Sequence, residues 1–288
     1  MIRLRRMNGD DVGLGMRLKG QAGWNQTEAD WRRFLRLEPE GCFVAELEGR
    51  PVGTTTACRF GDVGWIAMVL VDEPARHRGI GTRLVRHALE YLDCRGARTV
   101  RLDATALGRP VYERLGFVAE YELARWEGMA GGPQDDAVGG ELLDEESMLD
   151  VSPEQLDALA ELDRRVTATN RRRLLERLIE ERPDGAKLVV AGETPLGYLM
   201  LRGGSRATQI GPAVAVRPEA GRRLADWALG RCAGGPVFVD VPCDNAEAIR
   251  WAASRGLGVQ RRFTRMGRGR PIADRPAEIW ASSGPEKG

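Results

Sequence analysis

Residues 66–117 read IAMVLVDEPARHRGIGTRLVRHALEYLDCRGARTVRLDATALGRPVYERLGF. An apolar run, Ile66 to Val71, leads into Arg76-His77-Arg78-Gly79-Ile80-Gly81, and beyond it Leu84, Val85, Ala88, Leu89 and Leu92 recur at helical spacing. The pattern predicts a strand, a glycine turn and an amphipathic helix. The first N–H groups of a helix have no intrahelical partner, and the helix dipole places about half a positive charge there. Glycines at 79 and 81 let an anion approach the bare backbone, so the junction is suited to phosphate. Glycine also serves simply to turn a chain from strand to helix, and that reading stands beside the first. The spacing matches neither the G-x-G-x-x-G of dinucleotide folds nor the G-x-x-x-x-G-K-[ST] of the P-loop.

With Tyr112, Gly116 and Phe117 downstream, Arg-x-x-Gly-x-Gly resembles the acetyl-CoA-binding core of the GNAT superfamily of N-acetyltransferases. The order of elements carries the resemblance from Ile2 to Glu127: strand Ile2 to Arg6, helices near Asp10 to Lys19 and Thr27 to Leu37, strands Cys42 to Leu47, Val52 to Cys58 and Gly64 to Val71, the helix from Gly79 to Cys94, then Thr99 to Ala104, Arg109 to Leu115 and Val118 to Trp126.

Composition fits a globular protein with no strong field. The chain has 288 residues, and 43 basic against 42 acidic side chains give a formal charge of +1, which attracts neither nucleic acid nor an anionic membrane. Cys42, Cys58, Cys94, Cys232 and Cys243 are odd in number and show no metal-like spacing, against both a disulfide framework and zinc. MIRLRRMNGDD lacks the apolar stretch of a secretory signal, so a cytoplasmic protein is expected.

From Gly128 to Asp150 glycine, aspartate and glutamate dominate, and Ser152-Pro153-Glu154-Gln155 then opens a helix with a capping box. The second half of the chain repeats the first. Val44-Ala45 and Pro51-Val52-Gly53 match Val190-Ala191 and Pro195-Leu196-Gly197, and Val100-Arg101-Leu102-Asp103 matches Val237-Phe238-Val239-Asp240. The copies differ at the turn. Val71 reaches Leu84 in thirteen residues but Val216 reaches Leu224 in eight, and Ala252 stands where Tyr112 stands in the first copy. The fold class expected is α/β (α+β): two tandem GNAT-like domains, each a mixed, mostly antiparallel sheet flanked by helices. Residues 1–128 form the acetyl-CoA-binding domain, 129–150 the linker, 151–267 a degenerate copy without acetyl-CoA, and 268–288 a tail in which Ile279, Trp280 and Ala281 can dock as a short strand.

The resemblance implies transfer of an acetyl group from acetyl-CoA to a primary amine of a small molecule in a ternary complex, without metal. Backbone N–H groups from Arg78 to Thr82, including Gly79, Ile80 and Gly81, would hold the pyrophosphate, with Arg76, Arg78 and Arg83 as charged donors or else a solvated helix face, and His77 within reach of a CoA phosphate. Met68, Val69 and Val71 would offer backbone to pantetheine. Tyr112 occupies the position from which the departing thiolate is protonated; its plainer role is a packed tyrosine. The family's usual carboxylate on the strand before the turn is absent, leaving Asp103 as first candidate for the base, or else as a loop-ordering carboxylate, with Glu113 or Asp62 acting through water as alternatives. Trp24, Asn25 and Trp31 are candidates for the acceptor wall, though tryptophan at helical spacing is also core. An acyl-CoA-binding pseudoenzyme or sensor without turnover, or a non-enzymatic scaffold, fits the same motifs, and oligomeric state is left open.

Overall fold

The computed structural model describes residues 1–131, 146–286 and 288. Two compact units emerge. One comprises Met1–Ala119 with Met266–Pro271 and Glu286–Gly288, the other Glu120–Arg265 with Ile272–Pro285.

The first unit runs β1 (Ile2–Arg6), α1 (Val12–Gln21), α2 (Glu28–Leu37), β2 (Cys42–Leu47), β3 (Arg50–Phe60), β4 (Val63–Val71), α3 (Ile80–Cys94), β5 (Thr99–Ala104) and α4 (Arg109–Glu113). Its strands lie in chain order, antiparallel from β1 to β4, with β5 parallel to β4. Val85, Ala88, Leu89 and Leu92 of α3 pack on Ile66, Val100, Leu102 and Ala104, which is the helical stripe meeting the alternate residues of two strands. Trp65, Arg101 and Asp103 therefore fall on the face turned away from α3.

Next come β6 (Val118–Met129), β7 (Glu146–Asp150), α5 (Leu156–Thr167), α6 (Arg172–Glu181), β8 (Ala186–Ala191), β9 (Thr194–Arg202), β10 (Thr208–Ala215), α7 (Pro218–Arg231), β11 (Pro236–Pro242), α8 (Ala246–Ser254), β12 (Gly258–Gly269) and β13 (Ile279–Ala281). The β8–β9–β10–α7–β11–α8–β12 series repeats β2 to β6. The expected capping box forms, with Ser152 N–H donating to Gln155 Oε1 at 2.8 Å. Of the expected linker, 132–145 lies outside the described residues. Glu146–Asp150 is a strand antiparallel to β8, whose acidic composition had hidden it; the buried Glu146 carboxylate is paired with Arg217 and Arg223.

The closing strands of the two copies are exchanged. β6, the last strand of the first copy, belongs from Glu120 onward to the second unit, where it runs antiparallel to β11 from Leu123↔Pro242 to Met129↔Pro236. The end of β12 belongs to the first unit: Arg270 N–H donates to Arg98 O, Thr99 Oγ1 donates to Arg270 O, and a Cβ on Gly269 would lie 2.3 Å from Arg98 O. Within the second unit Arg125 of β6 makes a bidentate pair with Asp240 of β11 at 2.7 and 2.8 Å, both side chains buried, with the guanidinium between the rings of Phe238 and Phe263.

In that unit β10 pairs with β11 only from Thr208↔Val237 to Ile210↔Val239. Beyond that point β13 takes over as partner of β10, at Ala213↔Ala281 and Val214↔Ile279, and Ser282 N–H donates to Asp240 O at 2.8 Å. Asn245 Nδ2 donates to Ile279 O, and the buried Trp280 ring lies so close to the first turns of α7 that a Cβ on Gly221 would be 1.9 Å from it.

Replacing Arg125 with Met is expected to cost about 3–5 kcal/mol of unfolding free energy in urea, because it strands the Asp240 charge in the interior. Gly221→Val is expected to eject Trp280, with protection of the Val214 amide in hydrogen exchange falling roughly tenfold or more.

Candidate functional site

The site in the first unit is organised by the parting of β4 and β5. These parallel strands pair at Val63↔Thr99, Gly64↔Val100 and Trp65↔Arg101, and among the described residues no β4–β5 pair lies beyond these although both strands continue. On its other edge β4 bulges against β3 between Ala67 and Leu70, with Met68 at φ +52°. Two buried threonine hydroxyls fix the bulge: Thr54 Oγ1 donates to Met68 O at 2.9 Å and Thr55 Oγ1 to Ala67 O at 3.3 Å. The Thr54-Thr55-Thr56 run was a legible signal of a strand with a polar duty, but the sequence reading did not use it.

At the end of β4 the chain is braced before it turns. Arg17 and Gln21 of α1 both donate to Asp72, at 2.7 and 2.9 Å. Burial alone would raise the Asp72 carboxyl, but these donors hold it below its ordinary value. Arg76 Nε donates to Val71 O, so this arginine works within the turn rather than projecting from it. His77 and Gly79 both sit at positive φ, +63° and +76°. Gly79 needs no Cβ room but does need that conformation, whereas histidine carries it at a cost. No side chain caps α3, and Cβ atoms built at Gly79 and Gly81 meet nothing closer than Val71 Cγ2 at 3.8 Å. The helix start is bare backbone with space in front of it, a cradle whose shape and dipole fit a phosphate. Beside it an open groove of about 850 Å³ is lined by Arg78, Thr82, Arg83, Arg86 and His87 over an apolar floor from Ile2 and Leu4.

Tyr112 lies on α4 with its ring edge-on to Phe117 at 6.0 Å and in contact with the α3 cluster. A Cβ on Gly108 would come within 3.0 Å of that ring, so glycine is what lets the tyrosine sit there. Among the described residues none hydrogen-bonds its hydroxyl. Burial pushes the phenol up to about 12. Asp103 is half-buried on the face away from α3 and is engaged with neighbouring groups.

The acceptor-wall candidates separate. Trp31 is wholly buried with its ring on Gly15 of α1, leaving no surface for a ligand; an apolar ring on the inner stripe of α2 is core. Asn25 is buried at 1% exposure and Trp24 half-buried, in the loop before α2. Two buried groups near them escaped the sequence reading. Gln26 Nε2 donates to Glu286 Oε2 at 2.8 Å. No spacing rule connects positions 26 and 286.

Among its described residues the second unit shows no equivalent glycine turn. Its α7 begins at Pro218 directly after Arg217, without a glycine turn, and β13 takes up the free edge of β10. No group of three or more His, Cys, Asp or Glu among the described residues could hold a metal, and no described helix is long and apolar enough to cross a membrane.

Comparison with known proteins agrees with this geometry. Residues 17–117 match the acetyltransferase (GNAT) family and residues 159–281 an acetyltransferase (GNAT) domain. Holothin acyltransferase of Pseudoalteromonas sp. is 24% identical over 267 residues, spanning 92% of this chain and 87% of that protein. N-alpha-acetyltransferase MAK3 of Arabidopsis thaliana is 38% identical over 101 residues, only 32% of this chain and 53% of that protein. Among solved structures, a chain from Pyrococcus horikoshii superposes with TM-score 0.83 at 23% identity, covering 100% of this chain and 96% of the other. A tandem GNAT protein from the clavulanic acid biosynthesis pathway gives TM-score 0.63 at 17% identity, over 95% and 100%. With a GNAT match in each half, and a glycine turn that only the first half keeps, the chain belongs to the GNAT acetyltransferases as a tandem of two GNAT domains.

Proposed function

We propose that the first unit transfers an acetyl group from acetyl-CoA directly to a primary amine of a small molecule, with both substrates bound at once. The observation that carries this reading is the wedge between β4 and β5 opening beside the uncapped start of α3. An acyl-CoA, the substrate class of this family, supplies a pyrophosphate, an extended amide-rich arm and an activated carbonyl, and these need an anion cradle, a free strand edge and a proton donor.

The chain's own residues supply each. Backbone N–H groups of Arg78, Gly79, Ile80, Gly81 and Thr82 bind the pyrophosphate, with Arg78 adding charge and His77 a hydrogen bond. Backbone groups of Met68, Val69 and Val71 on the unpaired edge of β4 hold the pantetheine arm as a strand would. Arg76 supports that arm indirectly, by fixing the Val71 carbonyl.

A primary amine with pKa near ~10 is about 0.1% neutral at pH 7, so it must lose a proton before it attacks. Asp103 takes that proton, directly or through water. The nitrogen lone pair then forms the C–N bond to the carbonyl carbon, the second proton of that nitrogen passes to water, the C–S bond breaks, and Tyr112 gives its phenolic proton to the departing sulfur, recovering one from solvent. With its phenol raised to about 12, Tyr112 stays protonated at neutral pH and is a donor rather than a base.

Calorimetry is expected to find one equivalent of acetyl-CoA per chain; two would overturn the reading of the second unit as filled by β13. Tyr112→Phe is expected to lower kcat by roughly 10²- to 10⁴-fold while leaving the acetyl-CoA Kd unchanged. A parent protein that binds acetyl-CoA yet turns over no amine would establish the sensor reading instead. Because the active form of Tyr112 is the protonated one, kcat/KM is expected to rise with pH as the amine deprotonates, and to show no falling limb from Tyr112 until pH nears 12.

A further inference from the structure

We propose that the groove between α3 and the end strand β1 of the first unit docks an extended acidic peptide of a partner protein, which adds a strand to β1 and sets its carboxylates against Arg83 and Arg86. The inference stands apart from the acetyltransferase reading and does not rest on it.

Among the described residues β1 pairs with β2 alone, so its other edge is bare backbone. Which groups point outward follows from the two ends of the strand. Met1 O accepts from Glu48 N–H at 3.3 Å and Met7 N–H donates to Cys42 O at 2.8 Å, so the odd residues turn their polar groups toward β2. Successive residues alternate between edges, and Ile2 and Leu4 therefore present N–H and C=O outward. The row ends at Arg6, whose carbonyl is taken by Arg5 Nη1 at 3.1 Å. An unpaired row of this kind is a template for one more strand.

The side chains along that edge select the strand. Ile2 and Leu4 are half-buried and floor the groove of about 850 Å³. Arg78, Arg83 and Arg86 stand over them, exposed, and among the described residues none of the three has an ion pair. Glu90 at the far end is the single acid of the lining. A glutamate fits this surface, because its methylenes can lie on Ile2 and Leu4 while its carboxylate takes two parallel N–H bonds from a guanidinium. The lengths also agree: Gly79 to Glu90 rises about 16 Å along α3, and five strand residues span about 17 Å. A pyrophosphate on the first turn of α3 occupies only the Gly79 end, and Arg86 stands about 10 Å further along the helix.

The probe is fluorescein-labelled Glu-Val-Glu-Val-Glu amide, titrated with the full chain and followed by anisotropy at low salt. A micromolar Kd is expected, weakening as salt rises because the arginines are exposed. Two control peptides are each expected to bind at least roughly 10-fold more weakly: one with N-methylated backbone amides, which lacks donors for the β1 edge, and one with lysine for glutamate. Arg86→Glu, on the solvent face of α3, is expected to raise the Kd roughly 5- to 10-fold. Hydrogen exchange is expected to show the Leu4 amide gaining protection when the peptide binds. Saturating acetyl-CoA is expected to leave the peptide Kd within a few-fold. A parent that does not bind the peptide, equal binding of either control, an unchanged Kd for Arg86→Glu or an unprotected Leu4 amide overturns the inference. Displacement by acetyl-CoA overturns it too, since the groove then belongs to the ligand of the phosphate cradle. A chain that binds the peptide in this way but no acetyl-CoA upholds the inference and brings down only the proposed function.

Discussion

Two parallel strands that begin side by side and then part leave a row of backbone N–H and C=O groups with no neighbour, and buried groups of that kind must be satisfied by something. This obligation arises twice in the chain, once beyond Trp65↔Arg101 and once beyond Ile210↔Val239. In the second unit the chain answers it internally, with Ile279–Ala281 laid against β10 and Trp280 on the first turns of α7. In the first unit no pairing among the described residues covers that edge of β4, beside a helix start with no side-chain cap. The same constraint met in two ways separates the unit read as catalytic from the unit that completes itself.

Holding the wedge open requires local order of an unusual kind. A bulge would ordinarily leave carbonyls adrift, yet Thr54 and Thr55 donate to those of Met68 and Ala67. The turn at His77 and Gly79 is conformationally expensive, and Arg17, Gln21 and Arg76 tie down the strand end from which it springs. Side chains at the mouth of the site thereby hold backbone in place, and Arg76, donating to the Val71 carbonyl, is the clearest case.

The glycine turn, the order of elements and the duplication were all legible in the sequence, because each is written in local periodicity or in spacing that both copies share. The loss of the turn in the second copy was legible for the same reason, as was the docking of Ile279–Ala281, a short apolar island in a polar stretch. Other features left no local mark. Val118–Met129 and Gly258–Gly269 have the same alternating character, so nothing in either says which unit it completes. Trp31 keeps the rhythm of α2 whether it faces a ligand or Gly15, and only the close approach of that glycine decides it. Gln26 and Glu286 meet across 260 positions. Sequence reasoning sees motifs; it does not see which distant side chains a fold brings into contact.

The exchange of closing strands also bears on how such a chain can be divided. A tandem duplication is usually separable, since each copy carries everything it needs. Here the unit containing Tyr112 takes Met266–Pro271 from the far end of the other copy, while Glu120–Met129 is on loan in the opposite direction. No single cut yields either unit whole. The two copies are thus bound together at the level of covalent connectivity, each compact unit being completed by a segment drawn from the other copy.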